Sequence, residues 1–260
     1  LTELQREANQ RFGYSAKETL NIMQRLYENH KVLTYPRTDS RYLSKDIVPT
    51  IKDRLEACGT GPYRKLAMTA KKKDLSGKLA FVNDAKVSDH HAIIPTEQFV
   101  DLSHMTNEER KIYDLVVRRF LAVLYPPFEY EQTQVTVKVG GETFLASGKI
   151  VKAQGWRAAY EEEVYSAEDE EEEEAYESGK SLKGQTLPEL EKGQEIKGLV
   201  LSLTEGKTKP PAHFNEATLL SAMENPTAYM ESHDKAMAKT LGETGGLGTV
   251  ATRADIIEKL

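Results

Sequence analysis

Apolar residues recur at three- and four-residue intervals through the first half of the chain and at every second residue later, so helices are expected first and strands after them. Leu20, Met23, Leu26 and Tyr27 mark one helical face, opened by Ser15 and Glu18 at capping-box spacing. Thr2 and Gln5 have the same spacing and predict a preceding helix that meets the second at Gly13. A third helix is expected from about Ser44 and Asp46 to Gly59. A longer one opens at Thr106 with Glu109, carries Ile112, Leu115, Val116, Phe120 and Val123 on one face, and stops at Pro126 and Pro127.

Beyond the two prolines the period becomes two. Val135, Val137 and Val139 alternate with polar residues, and Gly140-Gly141 reads as a hairpin turn into Phe144 and Ala146. Strand character returns at Ile196 to Leu203. From about Pro210 the pattern turns helical again, through Glu216 to Met223, a Gly-rich ETGGLGT loop and a final helix from about Thr252. The expected fold class is α+β in three parts: helical to residue 127, β-rich from 128 to 210, and helical from 211 to 260.

Composition narrows the class. With 39% hydrophobic and 29% charged residues, a chain of 260 residues has the balance of a folded, soluble protein. Its single cysteine, Cys58, excludes an internal disulfide, a Cys-based zinc site and an iron–sulfur cluster, and favours an intracellular setting. No apolar run approaches the ~20 residues that span a bilayer, so no membrane partner is expected. The chain does not begin with Met and ends in an unfinished helical pattern, ADIIEKL, so a piece of a longer protein is expected.

Charge is uneven along the chain. Residues 161–177 hold 11 acidic and no basic residues, which leaves the remainder net positive although the whole is −6. Residues 1–127 carry 21 Lys and Arg against 16 Asp and Glu, with clusters at Lys71, Lys72 and Lys73 and at Arg118 and Arg119. A polyanion partner is compatible with this distribution. The acidic run reads as a solvated insertion, or more sharply as a decoy that repels nucleic acid.

Three stretches could carry chemistry. In LTYPRTDS, residues 33–40, the proline biases Tyr35 to extended backbone, so Tyr35 and Arg37 share a face. A phenol beside a guanidinium suits attack on a phosphodiester, because Arg stabilises phosphorane oxygens bidentately. In SDHHAIIPT, residues 88–96, adjacent His90 and His91 point apart and lack the spacing of a metal pair, but one could hydrogen-bond a phosphate or relay a proton with Asp89 as orienter. In GGLGTVATRADII, residues 245–257, a Gly-rich loop feeds Thr252 and Arg253 into a helix start that favours phosphate. Gly206-Lys207-Thr208 ends like a P-loop but lacks the earlier glycine, since Leu201 stands there. Each stretch alone has a plain alternative: a packed tyrosine, an ordinary loop histidine, a flexible loop with a capping threonine.

Taken in order, TYPRTDS, DHHAIIPT, FNEATLL and GLGTVATRA resemble the signatures of the type IA DNA topoisomerases, most closely the bacterial topoisomerase III branch, across residues 34–254. The resemblance implies that Tyr35 is the nucleophile that holds a 5′ DNA end as a phosphotyrosine, and that Arg37 stabilises the scissile phosphate. His90 matches the catalytic-site histidine better than His91, by its distance from the Ala-Ile-Ile-Pro that follows. Thr252 matches a DNA-phosphate contact, with Arg253, His91 and Asp39 as neighbours in DNA binding.

It also implies a winged-helix-like tyrosine domain to about residue 127, part of a β-rich gate domain to 210, and the start of a fourth domain. The family's Toprim domain, with its acidic Mg²⁺ cluster, has no counterpart here, so no metal or cofactor is expected on this chain and Mg²⁺ would belong to the full-length enzyme. The implied protein is a monomeric bacterial, cytoplasmic enzyme acting mainly on single-stranded DNA without ATP, with this piece inactive alone. A single-stranded DNA-binding module that never cleaves is the competing reading.

Overall fold

A computed structural model describes residues 1–160, 187–188, 190–203, 205–208, 210–230, 239–242 and 245–260. The acidic run 161–177 lies outside the described residues. The chain falls into two compact units, one made of residues 1–125 with 213–260 and the other of residues 126–212.

The first unit is helical. α1 (Thr2–Phe12) and α2 (Ala16–Glu28) meet at Gly13, whose φ of 70° places it in the left-handed region that closes α1. Ser15 caps α2 by accepting the Glu18 N–H, as its spacing predicts. The box expected at Thr2 does not form: Thr2 already lies within the helix, buried with Gln5, and Gln5 donates its amide to the Ala16 carbonyl at 2.9 Å. Both side chains serve packing between elements, which the capping spacing alone could not reveal.

The helix expected from Ser44 begins as a 3₁₀ stretch at Lys45–Thr50, because Pro49 has no N–H for an α-helical bond, and α3 occupies only Ile51–Cys58. A further helix, α4 (Arg64–Ala70), follows a short 3₁₀ turn. α5 (Asn107–Ala122) has the full capping box of Thr106 and Glu109 and packs against α2, each turning buried apolar residues inward. Cys58 is buried in this unit, and burial pushes its thiol up to about 12, so it is unreactive.

Two helices from the described residues of 213–260 pack on the first two helices. α6 (Glu216–Glu224) lies against α1, and α7 (Arg253–Ile257) against α2, around Ala16, Leu220 and Ala254. Helix ends are satisfied reciprocally: the Glu216 carboxylate accepts the Ala16 N–H at 2.6 Å at the start of α2, and Asn9 accepts the Ala217 N–H at 3.2 Å at the start of α6.

In the second unit β1 (Glu129–Val139) and β2 (Glu142–Ala153) form an antiparallel hairpin. Val135 faces Ala146 and Val137 faces Phe144, so the register follows the alternation of the sequence. Gly140 and Gly141 both have positive φ, 57° and 90°, as a two-residue turn of this hand requires. The strand expected over Ile196 to Leu203 is absent: its described residues are irregular and exposed, Leu203 by 95%. A strand needs a paired edge, and among the described residues the two hairpin strands pair only with each other.

Candidate active site

Two segments that are distant in sequence lie side by side in the first unit. Leu33 bridges antiparallel to Pro95, the Thr34 N–H donates to the Ile94 carbonyl at 3.0 Å, and the Thr96 N–H donates to the Val32 carbonyl at 3.0 Å. Thr34 adds its hydroxyl as acceptor for the Ile94 N–H, at 3.0 Å. LTYPRTDS and SDHHAIIPT are therefore neighbours by backbone pairing.

Within the first segment the extended period of two holds. Pro36 and Thr38 are buried, whereas Tyr35 is half-buried and Arg37 exposed. The Tyr35 ring packs on His90 with centroids 4.4 Å apart, and the Tyr27 ring of α2 meets it edge-on at 5.5 Å. The ring is thus held on two sides. Its hydroxyl makes no hydrogen bond among the described residues, unlike that of Tyr63, which donates to Asp114 at 2.9 Å, or that of Tyr125, which donates to the Leu66 carbonyl at 3.1 Å. Burial and the Asp114 carboxylate push the Tyr63 phenol upward, so that tyrosine is a structural donor. Tyr35 combines a fixed ring with an uncommitted oxygen. Arg37 has no hydrogen-bond or ion-pair partner among the described residues.

Thr38 couples the two segments at the site itself. Only 3% exposed, it donates its hydroxyl to the His90 carbonyl at 2.8 Å and accepts the Ser40 N–H at 3.1 Å. Arg54 of α3 anchors the far end: its side chain, 7% exposed, donates to the Pro95 carbonyl and the Thr50 hydroxyl at 2.8 Å each and pairs with Glu97 at 2.8 Å. Neither residue was singled out by motif. The alternation that turns Tyr35 outward would have found Thr38 as an inward polar residue, whereas Arg54 left no sequence signal.

The remaining candidates divide. His91 is half-buried and donates through Nδ1 to the Ala92 carbonyl at 2.7 Å, which leaves Nε2 as the acceptor in the neutral ring. Asp39 is exposed beside Ser40. Thr252 is exposed, and its hydroxyl accepts the Thr249 N–H at 2.9 Å within the loop.

Arg253 is 4% exposed and spends its guanidinium inside the chain, on the Gly245 carbonyl at 2.6 Å, the Leu247 carbonyl at 3.1 Å, Thr2 at 3.2 Å and Glu224 at 3.3 Å. It pins the Gly-rich loop to α1 and α6. Gly246 belongs to the same arrangement, since a Cβ there would lie 2.1 Å from the Met223 carbonyl. α7 spans only five residues, so its dipole adds little to the loop. Of the basic clusters, Lys71 meets Glu56 at 3.3 Å, and Arg118 is buried against Asp114 at 2.8 Å.

No three His, Cys, Asp or Glu side chains converge among the described residues. No helix among them is long and apolar enough to cross a membrane.

A paired, extended segment that fixes a tyrosine ring against an imidazole, beside an exposed arginine, is an arrangement suited to phosphate chemistry. The family model for DNA topoisomerase matches residues 1–260, and the chain belongs to that family. It is 60% identical over all 260 residues to DNA topoisomerase 3 of Bacillus licheniformis, 59% to that of Bacillus subtilis and 60% to that of Bacillus anthracis. The chain covers 34% of each of these relatives, and so spans about a third of their length.

Proposed function

We propose that this chain is the part of a type IA topoisomerase that carries the nucleophile. The observation that supports it is Tyr35, its ring packed at a tilt on His90 with centroids 4.4 Å apart, two residues before the exposed Arg37. The Tyr35 oxygen attacks a backbone phosphorus of single-stranded DNA and loses its proton. The bond from phosphorus to the 3′ oxygen breaks, and the 5′ end stays on Tyr35. Attack by the freed 3′ hydroxyl reverses the step, so no ATP is consumed. Arg37 offers two parallel N–H donors to the oxygens on which charge develops. His90, packed against the nucleophile's ring, orients the phosphate or moves a proton.

Passage of a second strand while the first is open, relaxation and decatenation belong to the whole protein, which on this reading works as a monomer in the bacterial cytoplasm. Mg²⁺ and the groups that assist the leaving 3′ oxygen belong to a Toprim domain outside these 260 residues. This chain alone would therefore bind DNA without cleaving it. Thr252 and the loop N–H groups before it add phosphate contacts, and Arg253 holds that loop in place.

The test is a covalent-adduct assay in the intact protein with labelled single-stranded oligonucleotide and denaturing gels. Tyr35→Phe should lose the adduct and keep DNA binding. An adduct that survives this substitution would overturn the assignment, and DNA binding without any adduct in the unsubstituted protein would favour a non-cleaving binding module.

A further inference from the structure

A groove of about 400 Å³, whose lining begins two residues after Arg37 in the chain, includes neither Tyr35 nor His90. One wall is residues 39–42 and the other residues 85–88. The walls are tied together: the Ser40 hydroxyl donates to the Lys86 carbonyl at 2.8 Å and accepts the Tyr42 N–H at 3.1 Å. Next to them Leu43 pairs with Phe81 and Asn83, through backbone bonds of 2.9 Å each. The groove is a paired structure and not a gap between loose turns.

Its cation is held in place. Lys86 is exposed, yet its Nζ rests 4.8 Å from the centre of the Tyr42 ring and 3.3 Å from the Tyr42 hydroxyl. A free lysine loses much rotamer entropy when it binds, and one already seated on an aromatic face has surrendered part of it beforehand. Arg41 supplies a second positive group on the same wall, tied to Glu3 at 2.7 Å. The wall also carries Asp39, whose repulsion grows with the charge of the ligand, so a terminal phosphate dianion is disfavoured more than a singly charged diester. Tyr35 and Tyr42 are seven residues apart, a span of at most about 25 Å, so the groove lies within a few nucleotides' reach of a phosphate at Tyr35.

We propose that this groove holds one backbone phosphodiester of the DNA single strand flanking the linkage that Tyr35 attacks. Lys86 is the phosphate contact, and Tyr42 is the positioning residue that keeps its ammonium aimed. The proposal rests on the reading of Tyr35 as nucleophile only for where the strand lies. The groove itself is a binding site with its own test.

The experiment uses the intact protein carrying Tyr35→Phe, so that binding is read without chemistry, and single-stranded oligonucleotides in which one linkage at a time is a neutral methylphosphonate. Fluorescence anisotropy should find one flanking linkage whose neutralisation weakens binding about fivefold when Lys86 is present and has no further effect in Lys86→Ala. The same substitution should make log K against log salt shallower by about 0.7, the loss of one single-strand phosphate contact. Lys86→Arg and Tyr42→Phe should retain most of the affinity, and Tyr42→Leu, which frees the ammonium without removing its charge, should weaken binding by less than Lys86→Ala and keep the salt slope.

Additive effects at every linkage, or an unchanged salt slope in Lys86→Ala, would overturn the proposal. Melting temperatures of all variants separate these outcomes from misfolding. In the protein with Tyr35 intact, an adduct without any Lys86 coupling would sink the groove and spare the nucleophile. Coupling without an adduct would do the reverse.

Discussion

Replacing Thr38 with Val keeps the shape of a buried side chain and deletes one hydroxyl. That hydroxyl serves two backbone groups, the His90 carbonyl at 2.8 Å and the Ser40 N–H at 3.1 Å, and the side chain is 3% exposed. Removing it leaves an acceptor and a donor without their partner in a poorly hydrated place. At ~1–3 kcal/mol for each such group left unsatisfied, and allowing that the exposed side of His90 admits some water, about 2 kcal/mol of stability should be lost. For a unit of this size that is a fall of roughly 4–8 °C in melting temperature.

The local consequence is more diagnostic. Thr38 is the side-chain tie between the segment that carries Tyr35 and the carbonyl of the residue stacked on it, so the 4.4 Å ring contact should loosen. The assay is the NMR shift of the His90 ring protons, displaced by the Tyr35 ring current, measured beside thermal unfolding and the rate of covalent adduct formation. Thr38→Val should move the His90 signals toward those of an unstacked histidine and slow adduct formation, and Thr38→Ser should restore both. If Val leaves the His90 shifts and the melting temperature unchanged, the coupling argued here is wrong.

Other perturbations separate holding from contact. Arg54→Met should cost about 3 kcal/mol by leaving the Pro95 carbonyl and Glu97 without their buried partner, with hydrogen exchange at Thr34 and Thr96 rising before global unfolding. Arg253→Met should lower the melting temperature by a similar amount and expose the Gly-rich loop to proteolysis. Glu109 caps α5 and meets Arg25 at 2.8 Å and His30 at 3.1 Å; burial alone would raise its carboxyl, but the bonds from Arg25, the Thr106 N–H and His30 outweigh it and hold the carboxyl below its ordinary 4.5. Its contribution is therefore complete above that value and lost as pH falls through the lowered one, so Glu109→Gln should cost about 1–2 kcal/mol at pH 7 and progressively less in melts below about pH 4.5.

Local signals in the chain were legible where one element decided the outcome. The Thr106 and Glu109 box, the Gly13 junction and the Gly140-Gly141 turn depend on residues within a few positions, and each formed as its spacing predicts. Apart from the 3₁₀ start that Pro49 imposes before α3, the failures involve a distant partner. Thr2 looked like a cap and is a buried acceptor for Arg253, 251 residues away in sequence. Ile196 to Leu203 looked like a strand, but alternation states only which residues could line a sheet and not whether an edge is there to receive them. At the site, the sequence pattern brought out Tyr35, Arg37 and His90 as chemical groups. Pairing of Leu33 with Pro95 and the anchoring by Arg54 could not be read, because both are long-range bonds to main-chain atoms of residues that carry no chemical signature.

This division also says how the motifs themselves should be dissected. A group that touches DNA must reach solvent, and a group that aims it must be held by its own contacts, so a motif with both need not be uniform along its length. In TYPRTDS the two kinds alternate: Tyr35 and Arg37 toward solvent, Pro36 and Thr38 inward. In GLGTVATRA they are adjacent, with Thr252 exposed and Arg253 buried. Substitutions at Tyr35 and Arg37 remove an oxygen or a charge that has no hydrogen-bond partner among the described residues, and should change rate or affinity at constant melting temperature, whereas the Thr252 hydroxyl also holds the Thr249 N–H. Those at the inward positions act on chemistry only through stability and geometry, so their effects on rate and melting temperature should rise together. A motif position that altered cleavage strongly while buried, bonded and thermally silent would contradict the scheme, and Thr38 and Arg253 are the two positions at which that contradiction would show first.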